Sequence, residues 1–285
     1  MMWTTLVAVI QQKNRERELG HFLTEIRGAG ISVLEIEPEQ IYRLLGESSP
    51  RQPFVKQESL LLTDVPKVAI EAEHAGIALL GLEWKGGFHI PHAAYVVQSL
   101  EDIDADYLRM VWQRFHHQPL VIAQTQRLYI RELAGDESEI FCELAMEAGL
   151  RLKDMPEHPS EEEKSEFLQA YIRYQYGFFG YGIWALVEKE SGELIGIAGI
   201  EDRENDGEDY LELGYAVLPK KRRQGYAREA CEAILAYVRE RMERKGKIKC
   251  FVPKENVASR RTAQSIGMLQ TEDIFDVFCC YEWIL

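Results

Sequence analysis

No stretch of this chain reaches the roughly 18 to 20 consecutive apolar residues that a membrane-spanning helix requires. The opening segment, residues 1–10, also lacks the basic flank of a secretion signal. A cytoplasmic protein with no membrane partner is therefore expected. Positive charge is in deficit as well: 33 Lys and Arg stand against 47 Asp and Glu, a net charge of −14. The deficit runs through both the first 120 residues and the remainder, which argues against nucleic acid as a partner, since that would need a basic face. It suits an amine-bearing or basic substrate. Cysteine is sparse and unpatterned: five residues, an odd number, with no C-x-x-C spacing for zinc or redox work. Reduced core thiols and no metal are expected.

What is present is a globular chain, 46% hydrophobic and 28% charged, whose 285 residues suit two domains. In the first, apolar runs at residues 4–10, 31–36, 59–63, 77–82 and 94–97 read as strands, alternating with helical patterns at 15–27, 39–45, 64–75 and 104–116. A loop rich in Ser and Pro fills 47–53. Uninterrupted apolar strands separated by helices predict a small parallel, Rossmann-like α/β sheet over residues 1–120. Asp64 before Val65-Pro66 reads as a helix N-cap, with a metal ligand as the alternative. His116 and His117 are adjacent, about 100° apart on a helix, and cannot easily grip one ion.

Residues 119–125 read as the crossover into a second domain, residues 121–285. There 127–131 alternates as a strand, Asp136 is placed to cap a helix to 150, and Ser160-x-x-Glu163 is a capping box for another. Along that helix Phe167, Tyr171, Tyr174 and Phe178 fall on one face, more often core than ligand site. Residues 183–187 and 194–200 form a hairpin around Glu190-Ser191-Gly192, 201–209 an acidic loop, and 210–217 a central strand. A long helix over 228–244, a strand at 248–252, a helix at 256–266 and a strand pair within 274–284 complete the pattern.

The stretch 212–230, ELGYAVLPKKRRQGYAREA, is the most informative. A strand ends at Pro219, and Lys220, Lys221, Arg222 and Arg223 precede the next helix. Helix starts behave like about half a positive charge, so four cations there are unfavourable unless an anion binds. Gly225 would let backbone N–H groups approach its oxygens. A solvated basic turn is the alternative.

Arg222-x-x-Gly225-x-Ala227, after a strand ending in Ala216-Val217-Leu218-Pro219, resembles the acetyl-CoA signature of the GNAT acetyltransferase superfamily. Leu213-Gly214-Tyr215 looks like the branch that acetylates ribosomal-protein N-termini and related amines. The resemblance spans roughly residues 126–285 and implies a GNAT α+β fold with a central mixed sheet. It implies acetyl transfer from acetyl-CoA to a primary amine of a protein terminus, peptide or small molecule, with the two early helices bordering the acceptor pocket. The backbone of Tyr215, Ala216 and Val217 would pair with pantetheine, an N–H near Val217 would face the oxyanion, and Arg222, Arg223, Gln224, Gly225, Tyr226, Ala227 and Arg228 would hold the pyrophosphate. Asn256-x-x-Ser259 resembles a further family segment, with Asn256 on the pantetheine arm and Ser259 on cofactor or leaving thiolate; helix capping by Asn256 is the plainer reading. Many members carry a Tyr general acid seven residues after that Asn, where this chain has Ala263.

An amine of pKa near 10.4 arrives protonated, which makes a general base useful. Glu212, on the face of Gly214 and Ala216, is the candidate; packing by the hairpin or a salt bridge to Arg131 is the alternative. The missing Tyr leaves open a second function, a catalytically inactive CoA-binding regulatory module. Residues 60–66 with Ala75-Gly76-Ile77 resemble haloacid dehalogenase-like phosphatase domains. The nucleophilic Asp-x-Asp of that family is replaced by Val9-Ile10-Gln11-Gln12, so a non-catalytic domain is expected there.

Overall fold

Apolar strands with no polar interruption need cover on both faces, and the first part of the chain supplies it. The computed structural model describes residues 2–12, 16–46, 53–101, 103–150, 152–205, 208–242, 246–271 and 277–284. Two units result, Met1–Gln118 and Pro119–Leu285. The first holds β1 (Thr5–Val9), α1 (Glu16–Gly28), β2 (Ser32–Glu35), α2 (Pro38–Gly46), β3 (Ser59–Thr63), α3 (Pro66–His74), β4 (Ala78–Leu82), β5 (Tyr95–Val97) and α4 (Ala105–Phe115). Its strands lie in the order β2-β1-β3-β4-β5, every pair parallel. Successive residues enter opposite cores: Leu60 and Leu62 pack in one cluster and Leu61 in the other, all fully buried. The Ser- and Pro-rich loop expected at 47–53 lies mostly outside the described residues.

Asp64 does not cap α3, and among the described residues it belongs to no group of three or more potential metal ligands. Val65 is the N-cap, without a side-chain bond. The Asp64 carboxylate, 5% exposed, instead accepts the amides of Gln11 and Gln12 at 2.7 and 3.0 Å and the Trp84 indole N–H at 3.1 Å. A buried carboxylate must find donors, and here three of them tie the loops after β1 and β4 to the end of β3.

The second unit holds β6 (Val121–Gln124), β7 (Leu128–Arg131), α5 (Ser138–Ala148), α6 (Glu161–Ala170), a π-helix (Tyr171–Phe179), β8 (Ile183–Glu188), β9 (Leu194–Asn205), β10 (Glu208–Val217), α7 (Tyr226–Arg241), β11 (Lys247–Pro253), α8 (Val257–Ser265), β12 (Leu269–Gln270) and β13 (Phe278–Ile284). They build a mixed sheet, β12-β13-β11-β10-β9-β8-β7-β6, in which β10 and β11 run parallel and the other described pairs antiparallel. The capping box at Ser160 and Glu163 forms as expected.

Several expectations need correction. Residues 121–124 are an edge strand on β7 and not a crossover, which accounts for their apolar letters. Asp136 does not cap α5: Glu137 stands at the N-cap, its carboxylate taken by Arg131 and by the Ala134 amide. The acidic stretch 201–209 is largely strand, because β9 and β10 continue pairing outward to Asn205 and Glu208. Of the strand pair expected within 274–284 the described residues hold one strand, β13, whose partner β12 lies before that range, and residues 274–276 lie outside the described ones.

Candidate active site

The site begins where two parallel strands part company. Among the described residues strand β10 meets β11 only at Leu211 with Ile248 and Glu212 with Lys249, although β10 continues to Val217 and β11, still paired to β13, to Pro253. Beyond Glu212 the facing edge of β10 is therefore open. The Leu218 amide bonds Ile195 O on the β9 side. Hydrogen bonding alternates along an antiparallel strand, so Ala216 turns its N–H and C=O to β9, while Tyr215 and Val217 turn theirs to the gap. Of the three residues expected to meet pantetheine through their backbone, Tyr215 and Val217 are oriented for it; Ala216 is not.

Tyr215 packs its ring against the core, and its hydroxyl donates to Ser259 O at 2.9 Å, joining β10 to α8 across the floor of the gap. Burial raises its pKa, so it stays a neutral donor. The carbonyl of Val217 accepts from Arg222 Nε at 2.8 Å, and the Arg222 guanidinium also reaches Glu147 on α5. Arg222 thus closes one backbone acceptor at the strand end and leaves the Val217 N–H facing the gap.

The cations of the loop also find partners within the fold. Lys221 is bonded to Glu188, whose pKa falls to about 2 because Lys221, Ser191 and Tyr226 all donate to it. Lys220 lies 3.4 Å from Glu193, and Arg228 pairs with Glu232. Three of the four loop cations are therefore balanced internally. Arg223 remains, exposed and with no ion pair among the described residues, on a backbone of φ 61°. Gly225 follows at φ 83°, a conformation that suits glycine.

Helix α7 starts at Tyr226, two residues earlier than expected, with no side-chain cap. The amides of Tyr226, Ala227 and Arg228 are accordingly the unpaired first-turn donors of the helix. Successive amides around left-handed residues make a concave nest for anionic oxygens. The loop is held in this shape by Arg127, which the sequence reading did not single out. Its guanidinium donates to Gln224 O at 2.9 Å and to Glu229 at 2.7 Å, and lies 4.2 Å above the Tyr226 ring. Gln224 adds a bond to Lys220 O. The nest offers amide donors to anionic oxygens and the open strand edge offers backbone groups to an extended ligand, with the exposed Arg223 guanidinium in the same loop.

Asn256 caps α8, its Oδ1 accepting the Ser259 amide at 3.0 Å. Ser259 is half-buried beside the gap. Ala263 is fully buried in the core, so the position that carries a Tyr in many GNAT members does not look into the gap here.

Glu212 pairs across the sheet with Glu201, and both carboxylates take the same guanidinium: Arg203 lies 2.7 Å from Glu212 and 3.0 Å from Glu201. Arg131, the partner considered from sequence, binds Glu137 instead. Glu201, 6% exposed, also accepts from Tyr171 Oη at 2.8 Å. Burial raises the Glu201 pKa in spite of those donors. Burial alone would lower Arg203, but the two carboxylates outweigh it and raise it. Two carboxylates from neighbouring strands thus share one arginine. The cysteines are free and buried; burial pushes Cys250 up to about 12, which keeps it an unreactive thiol. Among the described residues no group of three or more potential ligands could hold a metal, and no helix is long and apolar enough to cross a membrane.

A family model described as an acetyltransferase (GNAT) domain matches residues 127–269. The uncharacterized protein YkkB of Bacillus subtilis (strain 168) is 33% identical over 97 residues, 34% of this chain and 55% of that protein. An uncharacterized N-acetyltransferase, YjdG, of the same organism is 28% identical over 94 residues, 33% of this chain and 54% of its own. The chain thus spans about half the length of each of these relatives. Among solved structures, the acetyltransferase of Agrobacterium tumefaciens str. C58 aligns over 57% of this chain and 94% of its own, at 22% identity and TM-score 0.45.

Proposed function

Since the chain belongs to the GNAT acetyltransferase family, we propose that it is an N-acetyltransferase that moves an acetyl group from acetyl-CoA to a primary amine by direct attack. The observation that carries this reading is the parting of β10 from β11 after Glu212, which leaves the backbone of Tyr215 and Val217 open beside an uncapped helix start.

Acetyl-CoA supplies an acyl group already activated as a thioester. The protein supplies placement, which accounts for much of the acceleration in such reactions. The open N–H and C=O groups of Tyr215 hold the pantetheine arm as a partner strand would. The amides of 226–228, the left-handed turn at Arg223 and Gly225, and the Arg223 guanidinium hold the diphosphate; Arg222 and Arg127 fix that loop. The Val217 N–H is left to donate to the acyl oxygen as charge builds there. Glu212 takes the amine proton, and Arg203, shared with Glu201, keeps its carboxylate turned into the site. Ser259 stands nearest α8's open side to return a proton to sulfur, a small task for a thiol of pKa near 8.5.

The acceptor we propose is the amine of a protein N-terminus, peptide or small molecule, the first in keeping with the Leu213-Gly214-Tyr215 letters. Residues 1–120 are assigned a non-catalytic role; the likeness of residues 60–77 to haloacid dehalogenase-like domains rests on its letters alone, and Asp64 is already taken up by three donors. The alternative, a CoA-binding module without turnover, predicts coenzyme uptake with no transfer. Incubation of the purified chain with acetyl-CoA and a panel of primary amines should release free thiol only when an amine is present. Binding of acetyl-CoA with no thiol release from any amine would favour the regulatory module.

A further inference from the structure

Helix α7 begins beside a strand pair that grips its first side chain twice. Strands β7 and β8 run antiparallel with Leu128 opposite Glu188, and the Lys189 amide continues the ladder to Arg127 O at 2.8 Å. That register brings Arg127 and Glu188 to the same end of the sheet, next to the loop that leads into α7. Tyr226, the first residue of the helix, is held by both. The Arg127 guanidinium stands over its ring, and its hydroxyl donates to the Glu188 carboxylate. Tyr226 and Glu188 are both buried, at 7% and 6% exposure.

Glu188 gathers donors from three separate segments. Besides the Tyr226 hydroxyl it accepts Lys221 Nζ on both oxygens, at 2.6 and 2.7 Å, and Ser191 Oγ at 2.7 Å. One carboxylate thus joins the turn after β8, the cationic loop and the first turn of α7. Glu229, in the same helical turn, makes a second tie to Thr125 and Arg127. A carboxylate one side chain away from the amide nest has a field that opposes an incoming anion. What it offers is geometry. With the ring and the hydroxyl of Tyr226 both held, the start of α7 is fixed, and donors already in place bind a ligand without first having to be ordered.

We infer that Glu188 is a positioning residue for the coenzyme: it does not touch the ligand, and through Tyr226 and Lys221 it presets the amides that receive the diphosphate. The inference rests on the acetyl-transfer reading of the same site. A purely electrostatic role, in which Glu188 only neutralises Lys221, predicts the opposite sign. Removing the charge would then free Lys221 for the diphosphate and tighten binding, whereas loss of a positioning contact loosens the nest and weakens it.

Calorimetry of coenzyme A into the purified chain compares the parent with Tyr226→Phe, Glu188→Gln and the double variant. Tyr226→Phe changes no charge and keeps a ring for Arg127 to cover; its dissociation constant should rise about fivefold, and that of Glu188→Gln about tenfold, the scale of a hydrogen bond to a charged group. The double variant should stay near tenfold, well short of the product of about 50-fold, because both changes break the same bond. In acetyl transfer the loss should appear in KM for acetyl-CoA more than in kcat. A merely stabilising role would lower the melting midpoint of each variant and leave the dissociation constant of the folded protein unchanged. Binding by Tyr226→Phe within about twofold of the parent, or equal or tighter binding by Glu188→Gln, would overturn the inference and leave the coenzyme site standing. A folded parent that takes up no coenzyme A would overturn the site and the inference together.

Discussion

Replacing Glu212 by Gln is expected to lower kcat for amine acetylation about 100-fold, the lower end of what a positioned general base contributes. Gln keeps the length of the side chain and an acceptor oxygen for Arg203 Nε, now 2.7 Å from the carboxylate. Arg203 also keeps Glu201, so the local ion pairing survives the change. What is lost is basicity. The loss should be smaller for an acceptor whose amine is largely unprotonated at the assay pH, because that substrate needs less help. Steady-state kinetics with two amines of different pKa, together with a melting curve for each protein, separates this effect from misfolding. A fall of less than threefold in a folded variant would mean that another group takes the proton.

The second large effect is on stability. A Cβ added at Gly199 would stand 1.9 Å from Gly182 O and 2.6 Å from Ile183 Cα. Both are backbone atoms of the chain entering β8 and cannot swing aside as a side-chain tip would. Gly199 is paired with Ile183 on one side and Gly214 on the other, so widening the first contact disturbs the strand that carries Glu212 and the open edge. Overpacking of this kind costs about 3 kcal/mol or more. Gly199→Ala should lower the melting midpoint by roughly 6 to 12 °C, at a few degrees per kcal/mol for a unit of this size. A midpoint within 2 °C of the parent would show that β8 and β9 have more freedom than their contacts imply.

Much of the site was legible because its groups are local in sequence. The run from Tyr215 to Arg228 holds strand, turn and helix start together, and Gly225 marked where backbone N–H groups can approach an anion. The partners that quiet the loop cations were not legible: Glu147, Glu188 and Glu193 come from α5, the end of β8 and the turn after it, and reach the loop only through tertiary packing. A basic run looks uncompensated until its distant acids are placed.

Glu201 was hidden for a different reason. Residues 201–209 carry many charges and so resemble a solvated loop, yet Asp206-Gly207 is a hairpin signal, and counting outward from it sets Glu201 opposite Glu212. That pair is observed. Aromatic residues 171–179 were misassigned to faces because the period changes from 3.6 within the segment, and no letter announces a π-helix. Asp64 was misread because the donors it serves, Gln11, Gln12 and Trp84, are brought to it by parallel strand order and not by neighbouring sequence.

Everything functional rests on the open edge of β10 and the amide nest beyond it receiving a coenzyme. Isothermal calorimetry of coenzyme A into the purified chain addresses this without an assumed acceptor. Saturable binding at one site per chain is expected, with a dissociation constant on the order of micromolar, about 8 kcal/mol. A folded protein that takes up no coenzyme A under those conditions would contradict the account.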